Sequence, residues 1–214
     1  RSTAALPHWW RWRAAVPVTL AMAGLLVHES AALLAVFLTR GAAEAGIYSA
    51  AYRLVYVAIS LTQLCSYVFL ARFTHVRAEG GAVHVLYRRA LLAALALGVS
   101  TAVCGALLAT PVVQLLYRPE YAASAAVLAW GIWQMALAPA RVIAFQTLTA
   151  CRAHRIVLLA IAGGVSGSLI LIIAGTLWRG AAGAALGTVL GEALLAAVLG
   201  VCAWRTAVAV GERT

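Results

Sequence analysis

The sequence predicts an all-α protein, a polytopic bundle of transmembrane helices, and three observations carry that prediction. Six apolar runs each reach the roughly 20 residues that a helix needs to cross about 30 Å of hydrocarbon. The runs are continuously apolar, whereas a barrel strand would alternate, and helices are the other way to satisfy a backbone in lipid. Of the 214 residues 64% are hydrophobic and only 10% charged, a composition that lipid solvates and water does not.

The elements follow in order. Residues 1–13 read as a cytoplasmic juxtamembrane segment, because Trp9, Trp10, Arg11, Trp12 and Arg13 suit the headgroup zone, where indoles and guanidiniums anchor a helix. The first span is Ala14 to Thr39, and a short turn at Arg40 and Gly41 leads into the second, Ile47 to Ala71. A connector rich in His and Arg, from His75 to Arg89, precedes the third span, Ala90 to Thr110. The Tyr117-Arg118-Pro119 turn precedes the fourth, Ala122 to Ala150, where Pro139 removes a helical hydrogen bond and predicts a kink. The fifth, Ile156 to Trp178, carries Gly163 and Gly167 with Gly164 and Ser168 beside them. The sixth, Ala181 to Trp204, carries Gly183, Gly187 and Gly191 at four-residue spacing. Such stripes predict close backbone approach between helices in lipid. Residues 205–214 form a cytoplasmic tail.

Charge gives the orientation. All sixteen cations are Arg, with six acidic residues and a net charge of +10. With the N-terminus in the cytoplasm, that side receives Arg1, Arg11, Arg13, Arg72, Arg77, Arg88, Arg89, Arg152, Arg155, Arg205 and Arg213. The far side receives Arg40, Arg118 and Arg179. The positive-inside rule then places both termini in the cytoplasm and the chain in the cytoplasmic membrane as a multi-pass protein. Because the excess charge sits in the connectors, its expected partner is the lipid bilayer with its anionic surface, and no nucleic acid. Lys, Asp and Asn are absent altogether, a bias that weakens any single Arg as a sign of selection for guanidinium geometry.

The four cysteines, Cys65, Cys104, Cys151 and Cys202, have no paired spacing, so neither disulfide framework nor metal knuckle is expected, and no cofactor. The segment before the first span lacks the pattern of a signal peptide, and the chain is read as part of something larger.

Three segments carry a family resemblance. The stretch GAAEAGIYSAAYRL (Gly41 to Leu54), the stretch LLYRPEYAASAAVL (Leu115 to Leu128) and the stretch RGAAGAALGTVLGE (Arg179 to Glu192) are similar, in order and separation, to segments of polysaccharide and lipid-linked oligosaccharide flippases of the multidrug/oligosaccharidyl-lipid/polysaccharide exporter superfamily. Two positions depart from that pattern. Arg118 replaces a more usual Gly, and Ala71 replaces a Pro that would help to end the second helix. The resemblance implies a two-lobed transporter whose lobes are related by an axis along the membrane normal. The six spans would form its C-terminal lobe, with the N-terminal lobe of the same transporter as a missing partner. Its substrate would be a polyprenyl-diphosphate-linked glycan, moved by alternating access and without enzymatic chemistry.

Ionisable residues inside the spans are the candidate site, since a charge left in lipid costs several kcal/mol unless paired or hydrated. They are Glu29, Arg53, Arg141 and Glu192. By helical rise Glu29 and Arg53 both lie about 10 Å below the outer surface, so an Arg53–Glu29 pair is reasonable, and a long Arg53 side chain also reaches towards Glu192. Arg141 falls nearer the cytoplasmic edge and is expected to snorkel to the headgroups. In a hydrated cavity Arg53 would offer bidentate hydrogen bonds to a pyrophosphate. His28 can titrate near neutral pH and, with Glu29, couple protons, although a satisfied buried histidine is the plainer reading. Gln63, Gln134 and Gln146 line the cavity or bridge helices. Three other classes compete: a cation or drug antiporter of the same superfamily, using Glu29 and Glu192; an intramembrane enzyme, for which the His75 to Arg89 connector lacks acidic partners other than Glu79; and a membrane scaffold that transports nothing.

Overall fold

The computed structural model of the chain describes the backbone of residues 8–64 and 66–211 and the side chains of 15–60 and 68–210. Every element among these residues is helical: α1 (His8–Arg40), α2 (Ala42–Leu64), α3 (Ser66–Ala78), α4 (Val83–Leu107), α5 (Ala109–Leu116), a single 3-10 turn at Pro119–Tyr121, α6 (Ser124–Gly131), α7 (Gln134–Ala150) and a last stretch, His154–Gly211. That stretch is two helices. Arg179 and Gly180 leave helical geometry, Gly180 at φ +60, and separate α8 (154–178) from α9 (181–211).

The breaks fall where the side chains demand them. Pro111 has no N–H for the carbonyl four residues back, at Leu107, and α4 ends there. Helix α3 runs seven residues past the expected end of the second span, as the missing proline at position 71 allows. It stops at Ala78, where Gly80 takes φ +70 and the Gly81 N–H donates to the Val76 carbonyl at 2.8 Å, a glycine-terminated cap. Between α6 and α7 the hydrogen bonding tightens, with the Trp133 N–H donating to Trp130 and that of Met135 to Ile132. Pro139, within α7, cannot bond the Met135 carbonyl. That oxygen faces α4, where a methyl added at Gly98 would run into it. The expected kink is therefore a tightened turn upstream of the proline, and a neighbouring helix fills the space beside it.

Among the described residues four helical stretches are long and apolar enough to cross a membrane: Ala15–Arg40, Val83–Leu107, Ser124–Ala150 and His154–Val210, the last containing the α8–α9 break. The expected second span is described as α2 and α3, on either side of Cys65, and neither is in that set. Glu44 and Arg53 lower the hydropathy of α2.

The connectors sort to two ends. Arg40 donates to the Leu177 carbonyl at 2.7 Å, Tyr117 Oη to that of Ala50 at 3.0 Å and Ser124 Oγ to that of Ile47 at 2.8 Å. The turns after α1, α5 and α8 thus share one end. At the other, Arg77 donates to the Ala150 carbonyl, which ties the turn after α3 to the turn after α7.

Helices α8 and α9 pack antiparallel through the glycine stripes. A methyl at Gly183 would strike the Gly175 carbonyl, one at Gly187 would lie 2.5 Å from the Leu171 carbonyl oxygen, and one at Gly191 would strike Ser168. Gly164 faces Leu195, but Gly163 faces nothing within 4 Å. The stripe on α8 is therefore Gly164, Gly167, Ser168 and Gly175, and Gly163 is not part of it. Around this hairpin lie α1 and α7, and α4 packs on α7.

The apolar core is in two layers. One, at the end of the α3–α4 turn, contains Leu25, Phe73, Tyr87, Ile143, Leu148, Ile161, Leu195 and Leu199. The other contains Val36, Tyr48, Val55, Val127, Ile132, Met135, Ile172 and Ala184. Helices α1, α7, α8 and α9 each pass between them with a polar residue.

Candidate functional site

Between the two layers sit His28 of α1, Gln134 and Arg141 of α7, Ser168 of α8 and Glu192 of α9, all buried. On α1, His28 falls between Leu25 of one layer and Ala32 of the other. On α8, Ser168 falls between Val165 and Ile172, and on α9, Glu192 between Ala185 and Leu195. Four helices thus carry polar groups to one depth in the middle of an apolar bundle.

Glu192 is the centre. Arg141 Nε donates to Glu192 Oε1 at 2.5 Å. His28 Nε2 lies 3.3 Å from Glu192 Oε2, and Ser168 Oγ is 2.8 Å from His28 Nδ1. With the serine hydroxyl donating to Nδ1, the neutral imidazole has its Nε2–H for the carboxylate, and every group in the chain Ser168–His28–Glu192–Arg141 has a partner. The pair neutralises two charges where either alone would cost several kcal/mol. The close approach of α8 and α9 at Gly191 and Ser168 brings the serine beside the carboxylate's helix.

A cavity of about 10 Å³, room for about one water molecule, lies against this chain, and Glu29, Tyr52, Tyr56, Ile59, Gln134 and Ala138 complete its wall. Glu29 is half-buried. Gln134 Nε2 is buried with no hydrogen-bond partner among the described residues. Among the described residues no group of three or more His, Cys, Asp or Glu is arranged to hold a metal ion.

Three sequence expectations change here. Arg141 does not snorkel to an edge. It is 6% exposed and paired with Glu192. Arg141 lies nine residues, about 14 Å, before the end of α7 at Ala150, and Glu192 of α9 meets it at that depth. Second, neither expected pair of Arg53 forms, since Glu192 is engaged by Arg141 and His28, and no ion pair joins Arg53 to Glu29. Third, because α2 begins at Ala42, Arg53 lies about 16 Å along its helix, deeper than expected.

Arg53 is exposed on a face shared by α1 and α2. It borders a groove of about 390 Å³ whose other walls are Leu33, Tyr48, Ser49, Tyr52, Tyr56 and Val57. The Tyr48 and Tyr52 rings stack there with centroids 5.5 Å apart. Tyr52 and Tyr56 line both this groove and the inner cavity, so one tyrosine pair separates Arg53 from the buried chain. Sequence reasoning did not single out these tyrosines; their four-residue spacing astride Arg53 was the available signal. Ser168 had been read only as a small packing residue. His28 is the satisfied buried histidine of the plainer reading, Gln146 is buried, and Gln63 lies outside the described side chains.

The chain matches no protein-family model, no curated protein and no solved structure.

Proposed function

We propose that this chain is one lobe, of six spans, in a two-lobed transporter of the cytoplasmic membrane, and that it flips a lipid-linked oligosaccharide or polysaccharide precursor by alternating access. The observation that carries the reading is Arg53: a guanidinium deep on an apolar helix face, exposed, and with no carboxylate paired to it among the described residues. Left in lipid such a charge is costly, so a face of this kind belongs against water and an anionic ligand. The α1–α2 face then fronts the central cavity, with a second lobe opposite, and Arg53 forks onto the pyrophosphate of a polyprenyl-diphosphate-linked glycan. Tyr52 and Tyr56 supply a flat, half-apolar wall behind it, suited to a ligand that is part sugar and part lipid. The antiporter alternative is weaker on the same geometry, because Glu192 already has an internal cation in Arg141 and only Glu29 remains for a transported one.

The test is transport in cells lacking their own flippase. Arg53→Gln should yield folded, membrane-inserted protein that no longer exports, and neither Glu29→Gln nor Glu192→Gln should rescue it. Full transport by a stable Arg53→Gln protein would remove the substrate role.

A further inference from the structure

A second groove lies between α3, α4 and α7, with Ala58 of α2 at its edge and a volume of about 600 Å³. Phe69 of α3, Ala93 and Leu97 of α4, and Met135 and Val142 of α7 line it. Among the described side chains that line it the one hydroxyl, on Thr101, donates back to the Leu97 carbonyl at 2.9 Å, and the rest are apolar. Alanines at positions 90, 93 and 94 leave the width, and the contact of Gly98 with the Met135 carbonyl holds α4 and α7 together along it. The groove is thus formed before anything enters. Along α4 it runs from Ala90 to Thr101, about 16 Å, or one leaflet of a hydrocarbon core about 30 Å thick.

Its end is cationic. Arg72 follows Val68 and Phe69 by one turn of α3, and Arg89 precedes Ala93 by one turn of α4, so each continues the groove face towards the α3–α4 turn. Both are exposed, and Arg88 adjoins them. The one described carboxylate at this end, Glu79, is 2.9 Å from His75 Nδ1 and pairs with neither arginine. An apolar slot one leaflet long, with two guanidiniums one helical turn beyond its end that form no ion pair among the described residues, has the charge and shape of a single lipid.

We propose that this groove binds one anionic phospholipid, its acyl chain between α4 and α7 and its phosphate on Arg72 and Arg89. The site is independent of the transport reading. It ties the α3–α4 turn to the bilayer surface and fixes α4, which is mostly exposed, against the bundle.

Native mass spectrometry of the full chain, offered phosphatidylglycerol and phosphatidylcholine with identical acyl chains in equal amounts, tests this. The expected result is one retained phosphatidylglycerol, preferred about tenfold. The Arg72→Gln/Arg89→Gln double variant should lose that preference while still retaining one lipid of either kind. Ala93→Trp, at an exposed position that projects into the slot, should retain neither; Leu97→Trp serves the same purpose if that variant does not fold. Equal retention of the two lipids by the parent would overturn the proposal. So would an undiminished preference in the arginine variant, or parental retention by the tryptophan variant, which would mean boundary lipid elsewhere. Displacement by millimolar inorganic phosphate would show a headgroup site without a tail, and displacement by an equal amount of polyprenyl phosphate would assign the groove to a carrier lipid; either also overturns it.

Discussion

At the scale of single residues, the intramembrane charges divide into two kinds. Arg141 and Glu192 are buried and bonded to each other, with His28 and Ser168 completing the chain, so their energetics are those of a buried pair. Arg141→Leu or Glu192→Leu alone should destabilise the bundle by about 3–5 kcal/mol, because each leaves an uncompensated charge between two apolar layers. The double replacement should recover much of that loss, and thermal unfolding in detergent reads the difference. A double variant less stable than both single ones would show that the pair is not coupled as drawn. Arg53 is of the other kind. Exposed and without a paired carboxylate, it should tolerate Gln within about 0.5 kcal/mol, and a large drop in melting temperature would point to a structural partner. All four charges were legible in the sequence, since the cost of charge in lipid singles them out. Their pairing was not, because pairing depends on which helix faces meet.

Among helices, the glycine stripes decide how closely α8 and α9 approach. Replacing Gly187 by Leu places a side chain against the Leu171 carbonyl and Ile172 Cα, backbone that cannot swing aside, and should cost at least about 1–3 kcal/mol or prevent folding. Gly163, on the same pair of helices, has open space beside it, so Gly163→Ala should be neutral or slightly stabilising through helix propensity. Melting the two variants side by side checks both, and equal behaviour would remove the distinction. Four-residue spacing reads correctly on α9, where Gly183, Gly187 and Gly191 all make close contact. On α8 the same spacing selects Gly163, which does not, because the composition of Gly163-Gly164 leaves the register ambiguous by one residue.

For the molecule as a whole, the two ends are distinct, and the arginine count leads us to expect the end with Arg77 and Arg152 on the cytoplasmic side. Single cysteines at Ala82, in the α3–α4 turn, and at Ala42, the first residue of α2, both exposed and at opposite ends, should therefore label differently from outside intact cells: Ala42→Cys reacts and Ala82→Cys does not. The reverse pattern would invert the orientation. Native Cys151 is buried at the Arg77 end and should not compete from outside, whereas Cys104, exposed near the other end of α4, is replaced by Ser for this assay. By itself the sequence determined that this protein is all-helical and apolar along most of its length, with connectors that alternate in charge, because hydrocarbon imposes those properties residue by residue. Only the tertiary structure decided that Arg141 rather than Arg53 meets Glu192, that two tyrosines stand between Arg53 and the buried chain, and that α4 and α7 leave an open slot. Those features depend on which faces of the helices meet, and no single helix carries that information in its own residues.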